Sequence, residues 1–143
     1  MAKEIIILSG NTTNHRLEIL GGEDTWAEKG KDIKWKIKDG AKNVTSIEYI
    51  NKKDGDDIFS EEPKKEDSKK WKAKIKKNAG DYDEYTYLIT WKDTNGIEHT
   101  HDPKISVLPS DRIDFLNLLI GFIVALFVGF LSLKFLLGKR GRR

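Results

Sequence analysis

The chain has 143 residues, no cysteine and a formal net charge of +3. The lack of cysteine excludes a disulfide framework, a cysteine nucleophile and a thiolate metal site. Residues 1–112 hold 21 of the 26 basic and 22 of the 23 acidic side chains, so the excess positive charge belongs to the C-terminal segment and does not indicate a nucleic-acid-binding domain.

The first half of the chain contains short apolar segments separated by turn residues. Residues 32–38 place Ile33, Trp35 and Ile37 on one side of an extended chain and lysines on the other. A period of two is typical of a strand that buries one face, as in an antiparallel sheet. Shorter strand candidates are residues 4–8, 16–20 and 44–50.

The middle of the chain is polar. The run 54–69, DGDDIFSEEPKKEDSK, is mixed in charge and contains Pro63. We therefore predict a long loop with one short strand or turn near Ile58 and Phe59. Residues 70–76 then repeat the alternation of residues 32–38.

The last part of the domain is rich in strand-forming residues. Residues 84–91, EYTYLITW, are rich in aromatic and β-branched residues on both faces, which predicts a central strand. Asn95-Gly96 predicts a hairpin turn that returns through residues 97–101, and residues 104–108 are the last strand candidate. Seven or eight short strands in about 105 residues predict an all-β fold, a Greek-key antiparallel β-sandwich over residues 1–110.

The order of these segments resembles a cupredoxin-like or immunoglobulin-like sandwich. The resemblance rests on GKDIKWKI at 30–37, Phe59-Ser60, WKAKIKKNAGDYDEYTYLITW at 71–91 and DPKISV at 102–107. It implies a fold and not an activity. Cupredoxins hold copper with two histidines, a cysteine and usually a methionine, whereas this chain has no cysteine and no methionine besides Met1. Copper electron transfer is therefore not implied, and we expect no cofactor.

The four tryptophans fit this sandwich as residues of the core or its rim. Trp35, Trp71 and Trp91 occupy inward-facing positions of the alternation, and Trp26 lies outside the main strands.

The best pattern for a metal site is His99-Thr100-His101-Asp102. In a strand, His99 and His101 point to the same face, and Asp102 could supply a third ligand. The alternative is the exposed polar edge of a hairpin. Because no further cluster of ligands is visible, we expect no metal.

Patterns for catalysis are missing from the sequence. There is no G-x-S-x-G and no P-loop, and nothing marks His15 as a base. The carboxylates of residues 54–67 are interleaved with lysines, as in a solvated loop rather than an acid pair. We expect a non-enzymatic protein without catalytic residues.

Two predicted strands carry lysine on their polar faces, and if they share a sheet the ammonium groups form one surface. Such a surface could bind the phosphates of a nucleotide, a nucleic acid or lipid headgroups. The alternative is the ordinary use of lysine on the wet face of a sheet. The near-neutral domain disfavours nucleic acid, which leaves a small anionic ligand, the headgroup layer or an unidentified protein as partner. The lysines are Lys34, Lys36, Lys38, Lys70, Lys72, Lys74 and Lys76.

The C-terminal part of the chain is strongly apolar. Among the 23 residues 115–137, the clearly polar ones are Asn117, Ser132 and Lys134. A helix of this length extends for about 35 Å, enough to cross a bilayer core of about 30 Å. We predict a transmembrane helix over residues 113–137 and a short basic tail over 138–143. Because few residues separate the strands from this helix, the sandwich is expected close to the headgroups.

Two features favour opposite orientations in the membrane. The positive-inside rule would place the basic tail in the cytoplasm. The N-terminal sequence, however, has only residues 5–8 as an apolar run, which is too short for a secretory signal. We therefore expect a tail anchor similar to those of bacteria, in the inner membrane with the N-terminal domain cytoplasmic, and the opposite topology stays open. The tail residues expected at the membrane surface are Lys139, Arg140, Arg142 and Arg143.

Small residues recur along the apolar segment at steps of four, at Gly121, Ala125 and Gly129, with Asn117 one step earlier. This spacing lets two membrane helices approach closely, and an asparagine can add a hydrogen bond between them. Small residues are also common in membrane helices generally. We predict a face for helix association and a homo-oligomer.

Three functions are consistent with these features. The first is a membrane-anchored β-sandwich binding module that self-associates through its helix. The second is an oligomerising membrane effector, similar to small bacterial defence effectors with antiviral roles, in which the sandwich senses a ligand and the helices perturb the bilayer. The third is an adhesion domain of the cell envelope.

Overall fold

A computed structural model describes residues 2–110 and 120–128. The chain divides into two compact units, one ending at Pro109 and the other beginning at Ser110.

The first unit consists of ten β-strands in two sheets. Sheet A has the order β2-β1-β4-β7-β6, and sheet B has the order β3-β10-β8-β5, with β9 also paired to β8. The all-β prediction is therefore confirmed for this unit. The strands are β1 (Lys3–Gly10), β2 (Leu17–Ile19), β3 (Asp24–Ala27), β4 (Asp32–Lys42), β5 (Ser46–Gly55), β6 (Phe59–Asp67), β7 (Lys70–Ile75), β8 (Glu84–Lys92), β9 (Glu98–His101) and β10 (Lys104–Val107).

Both sheets are mixed rather than wholly antiparallel. Strand β1 pairs with β4 in parallel, and β10 pairs with β3 in parallel. The prediction of antiparallel pairing throughout is wrong at these two places. Between β1 and β4 the chain passes through β3 in the other sheet, and a chain that crosses over and returns can run in its original direction.

Two strands, β3 and β6, were not predicted from the sequence. Strand β3 has only four residues, too few to establish a period. Residues 59–67 form β6, where we predicted mainly a loop. Among the residues that the structure describes, this strand lies at the edge of sheet A and pairs with β7 alone, through an irregular register. Most of its side chains are exposed, so it lacks an apolar face, and Pro63 is tolerated because an edge strand has unpaired amides.

The core lies between the two sheets. The alternation of β4 buries Ile33, Trp35 and Ile37, and that of β8 buries Tyr85, Tyr87, Ile89 and Trp91. Trp71 is also buried, so the three tryptophans predicted to face inward do so. Trp26 is different, with 47% of its surface exposed beside the exposed ring of Tyr82.

In the second unit, residues 120–128 form a helix. All nine of its residues are exposed, including Phe122 and Phe127. Within residues 2–110 and 120–128, no helix has both the length and the hydropathy needed to cross a membrane. Most of the predicted span 113–137, including Asn117 and Gly129, and the basic tail 138–143 lie outside the described residues.

Candidate functional site: a lysine face and a histidine cluster

Strands β4 and β7 are neighbours in sheet A, and their polar sides form one surface. Lys34 lies directly opposite Lys72, and Lys36 lies opposite Lys70. These four residues define what we call the lysine face. It lies on the outer side of sheet A, because Trp35 and Trp71, the alternating residues of the same strands, point into the core.

The pairing of like charges in the lysine face is unfavourable. Side chains directly opposite each other in a sheet have Cβ atoms about 5 Å apart, and like charges there are destabilising. The Lys72 ammonium lies 3.7 Å from the Asp32 carboxylate, which offsets part of this repulsion. An anion bound over the two strands would reduce the remaining repulsion between the opposed lysines, so the arrangement favours anion binding.

A shallow depression of about 170 Å³ lies on this surface. The Lys34, Lys36 and Lys70 side chains line it together with the carboxylates of Glu4 and Glu66. The acidic side chains lie at its two sides, since Glu4 belongs to β1 and Glu66 to β6. An anion would therefore be positioned centrally, over β4 and β7.

The other predicted lysines have separate environments. Lys74 lies opposite Asp32, and the Lys76 ammonium is 3.3 Å from the Asp57 carboxylate. Lys38 lines a second depression, next to apolar side chains of β1. The seven lysines thus divide into a central group of four and three at the borders.

The histidines of the predicted metal pattern lie side by side but face inward. His99 and His101 are both buried on one face of β9. Asp102 is exposed, and its carboxylate accepts a hydrogen bond from the Lys53 ammonium at 2.9 Å. This bond lowers the pKa of Asp102 and directs its carboxylate toward β5.

His99 instead has two partners that the sequence analysis did not identify. Its Nε2 lies 2.8 Å from Oδ2 of Asp93, and its Nδ1 lies 2.7 Å from Nδ1 of His15. Its ring stacks on Trp91 at a centroid distance of 4.4 Å. His15 is 84 residues away in the sequence, so no local pattern connects it to His99.

Asp93 is the anchor of this histidine cluster, which we define as Asp93, His99 and His15. The Asp93 carboxylate is buried and accepts hydrogen bonds from the backbone amides of Asn95 and Ile97 at 2.8 and 3.0 Å. The hydrogen bond from His99 is the main cause of the lowered pKa of Asp93, with these two amides adding to it. An aspartate two residues before an Asn-Gly turn is a local signal that could have revealed this arrangement.

His101 lies next to the cluster in a different environment. Within the part of the chain that the structure describes, neither ring nitrogen has a hydrogen-bond partner, and the Glu23 carboxylate lies 4.0 Å from Nε2. Burial lowers the pKa of His101 against the opposing effect of Glu23. In residues 2–110 and 120–128, no group of three or more histidine or acidic side chains is arranged to hold a metal ion.

Comparisons with known proteins do not place the chain in a family. No protein-family model and no curated protein matches it. Among solved structures, it is similar to an endo-fucoidan hydrolase of glycoside hydrolase family 107, with 16% identity and a TM-score of 0.35. The match covers 61% of this chain but only 13% of the enzyme.

Proposed function

We propose that this chain is a single-pass membrane protein in which a Greek-key β-sandwich serves as a binding module, held at the bilayer by a self-associating C-terminal helix. The observation that carries the proposal is the helix over residues 120–128, whose large apolar side chains are each more than half exposed. A helix that is apolar on all sides requires an apolar environment, and the flanking sequence extends its apolar character over residues 115–137.

The lysine face supports a ligand of negative charge. Four ammonium groups on two adjacent strands create a positive potential that attracts phosphate or carboxylate groups. Lysine side chains bind such groups as flexible point charges. The binding module would take a small anionic ligand, an acidic protein segment or anionic headgroups.

The small residues of the helix support self-association. Gly121 and Ala125 lie one helical turn apart, and, apart from the backbone of the helix itself, a Cβ atom added at Gly121 would meet no atom of the described residues within 4 Å. Together with Asn117 and Gly129 they would form a shallow groove for a second helix. Replacing Gly121 and Gly129 by leucine should abolish association in a membrane two-hybrid assay, and an unchanged signal would count against this face.

Extraction of cell membranes tests the anchor itself. The wild-type chain is expected to stay in the membrane fraction at alkaline pH. Leu126→Arg should release it, because an arginine at the centre of a membrane helix costs about 3 kcal/mol on insertion scales. Ile97→Arg is the matched control, since Ile97 is an equally exposed apolar residue of the sandwich. Release of the wild-type chain, or of both variants alike, would refute the anchor.

Two further measurements separate the alternatives. Reporter fusions at each end determine the orientation: the proposal requires the sandwich to be cytoplasmic, and an external sandwich would favour the adhesion domain. Membrane depolarisation upon induced expression would favour the membrane effector over the binding module.

A further inference from the structure

We propose that His15 and His99 form a binding site for a divalent transition metal ion, with their two Nδ1 atoms as ligands and water completing the coordination. The inference is independent of the membrane anchor. It rests on the position of the ring nitrogens and on the partners that orient them.

The tautomer of His99 follows from its contact with Asp93. A carboxylate can only accept hydrogen bonds, so the 2.8 Å contact requires the Nε2–H group of His99 to donate to Oδ2 of Asp93. In the neutral ring the lone pair is then on Nδ1. Metal-binding histidines in proteins usually donate their other N–H group to a carboxylate in this way.

Asp93 and Trp91 restrict the movement of the His99 ring. Asp93 is held by two backbone amides, and the Trp91 indole stacks on the imidazole at an interplanar angle of 26°. The Nδ1 lone pair of His99 therefore has a fixed direction, and a ligand whose orientation is fixed in advance loses little entropy on binding.

His15 is brought to this lone pair by its own loop. Its backbone has a φ of 65°, and its carbonyl oxygen accepts a hydrogen bond from the Trp91 indole at 3.1 Å. The loop is closed by a hydrogen bond from the Asn11 amide to the Arg16 carbonyl at 2.7 Å. Nδ1 of His15 thus lies 2.7 Å from Nδ1 of His99, and when His99 is neutral the Nδ1–H group of His15 donates the hydrogen bond between them.

A metal ion can take the place of this proton when His15 changes to its Nε2–H tautomer, by proton exchange with solvent, and its ring turns to meet the ion. Two imidazoles that bind a tetrahedral ion at about 2.0 Å have their nitrogens roughly 3.3 Å apart. The nitrogens need to separate by roughly 0.6 Å. Because the two rings meet end to end, with their centroids 5.0 Å apart, the His15 ring must also rotate so that its lone pair meets the ion at the tetrahedral angle. His15 is exposed and can make this movement, and solvent can reach the ion from the same side.

The ligands determine the class of metal. The site offers two imidazole nitrogens as ligands, one of them on the ring that the Asp93 carboxylate orients, and imidazole suits Cu²⁺, Zn²⁺ or Ni²⁺ rather than Mg²⁺ or Ca²⁺. Because the protein supplies two ligands, we expect a dissociation constant in the micromolar range. Cu²⁺ should bind more tightly than Zn²⁺, since sites with nitrogen ligands generally have a higher affinity for Cu²⁺.

The test is titration of the full chain, purified in detergent without a histidine tag and freed of metal, with Cu²⁺ and Zn²⁺. Binding of Cu²⁺ is expected to quench the fluorescence of Trp91, and electron paramagnetic resonance should show two nitrogen ligands. His15→Asn should weaken binding at least tenfold and leave one nitrogen ligand. Asparagine tolerates a positive φ, so the loop is expected to keep its conformation.

Two more variants complete the design. Asp93→Asn should weaken binding 10- to 100-fold through the orientation of His99. Glu23→Gln is the control for binding near His101 and should leave the affinity unchanged. Absence of saturable binding by wild-type protein, or equal affinity in wild type and His15→Asn, would overturn the proposal, as would a loss confined to Glu23→Gln.

Discussion

The indole Nε1–H group of Trp35 donates a hydrogen bond to the hydroxyl of Tyr87 at 3.1 Å, and this bond joins the two sheets inside the core. Trp35 belongs to β4 of sheet A and Tyr87 to β8 of sheet B, and neither side chain is accessible to solvent. Their rings meet edge to face at a centroid distance of 5.8 Å. The buried indole donor thereby has a partner without water.

Tyr87→Phe should therefore lower the free energy of unfolding by about 1–3 kcal/mol, because it leaves the buried Trp35 donor without a partner. Urea denaturation monitored by tryptophan fluorescence measures this change. Tyr85→Phe is the matched control and should cost less, since the indole donates to Tyr87. Equal losses in the two variants would contradict this role of the hydrogen bond.

Tyr85 predicts how stability responds to alkaline pH. Burial is the main cause that raises its pKa from 10.0 to about 12. The folded protein therefore keeps a proton that the unfolded chain loses, so this contribution to stability is complete below pH 10 and declines as the pH rises toward 12. The free energy of unfolding should fall across this interval, and less steeply in Tyr85→Phe. A slope identical to wild type would show that Tyr85 is not responsible.

The lysine face predicts opposite changes in stability and binding. Lys36→Glu replaces a like-charge pair with Lys70 by an opposite-charge pair, which should raise the free energy of unfolding by about 0.2–1 kcal/mol. The same change should weaken binding of inorganic triphosphate and of vesicles containing anionic lipid. Affinity for triphosphate alone indicates a soluble ligand, and affinity for vesicles alone indicates headgroups.

Lys52→Glu makes the same change in net charge on β5 of sheet B and is the control for the lysine face. It should leave binding near the wild-type level. A comparable loss in both variants would indicate attraction by overall charge rather than by the lysine face.

Gly10 is required by the packing of Trp91. A Cβ atom at this position would lie 2.6 Å from two carbons of the indole ring. Gly10→Ala should therefore destabilise the protein by about 1–3 kcal/mol through overpacking. Trp91→Phe removes the atoms that clash, so the alanine should cost less in that background. Additive effects in this double-mutant cycle would exclude the contact as the cause.

The proposed membrane anchor predicts that Trp26 contacts the headgroup layer. It lies opposite Ser106, three residues before the first unit ends at Pro109, and Tyr82 packs against it. Exposed Trp and Tyr rings favour the membrane interface. In vesicles with brominated lipids, part of the tryptophan emission should be quenched, and Trp26→Phe should remove that part because the other three tryptophans are buried. Equal quenching in this variant would place Trp26 away from the lipid.

Most strands could be predicted because a strand that buries one face alternates apolar and polar residues along the sequence. Ile33, Trp35 and Ile37 alternate with lysines, and this alternation is sufficient to identify a half-buried strand. Strand β6 could not be identified in this way, since an edge strand exposed on both sides has no apolar face. Its strand conformation depends on pairing with β7.

The contacts of the histidine cluster likewise could not be predicted from neighbouring residues. The sequence places His99 and His101 on one face of a strand, as found, but it suggests Asp102 as their partner. In the fold Asp102 binds Lys53, while His99 meets Asp93 across a hairpin turn and His15 across the sandwich. The partner of a side chain depends on which strands pair, and that is a property of the whole chain.

Three features follow from adjacent residues alone, because each is a local periodicity or composition: the all-β class of the first unit, the lysines on the polar sides of two strands and the apolar character of residues 115–137. Three others depend on the folded chain: those strands are neighbours, two pairings are parallel and His15 reaches His99. These features join residues far apart in the chain, and their geometry follows from the packing of two sheets around one core.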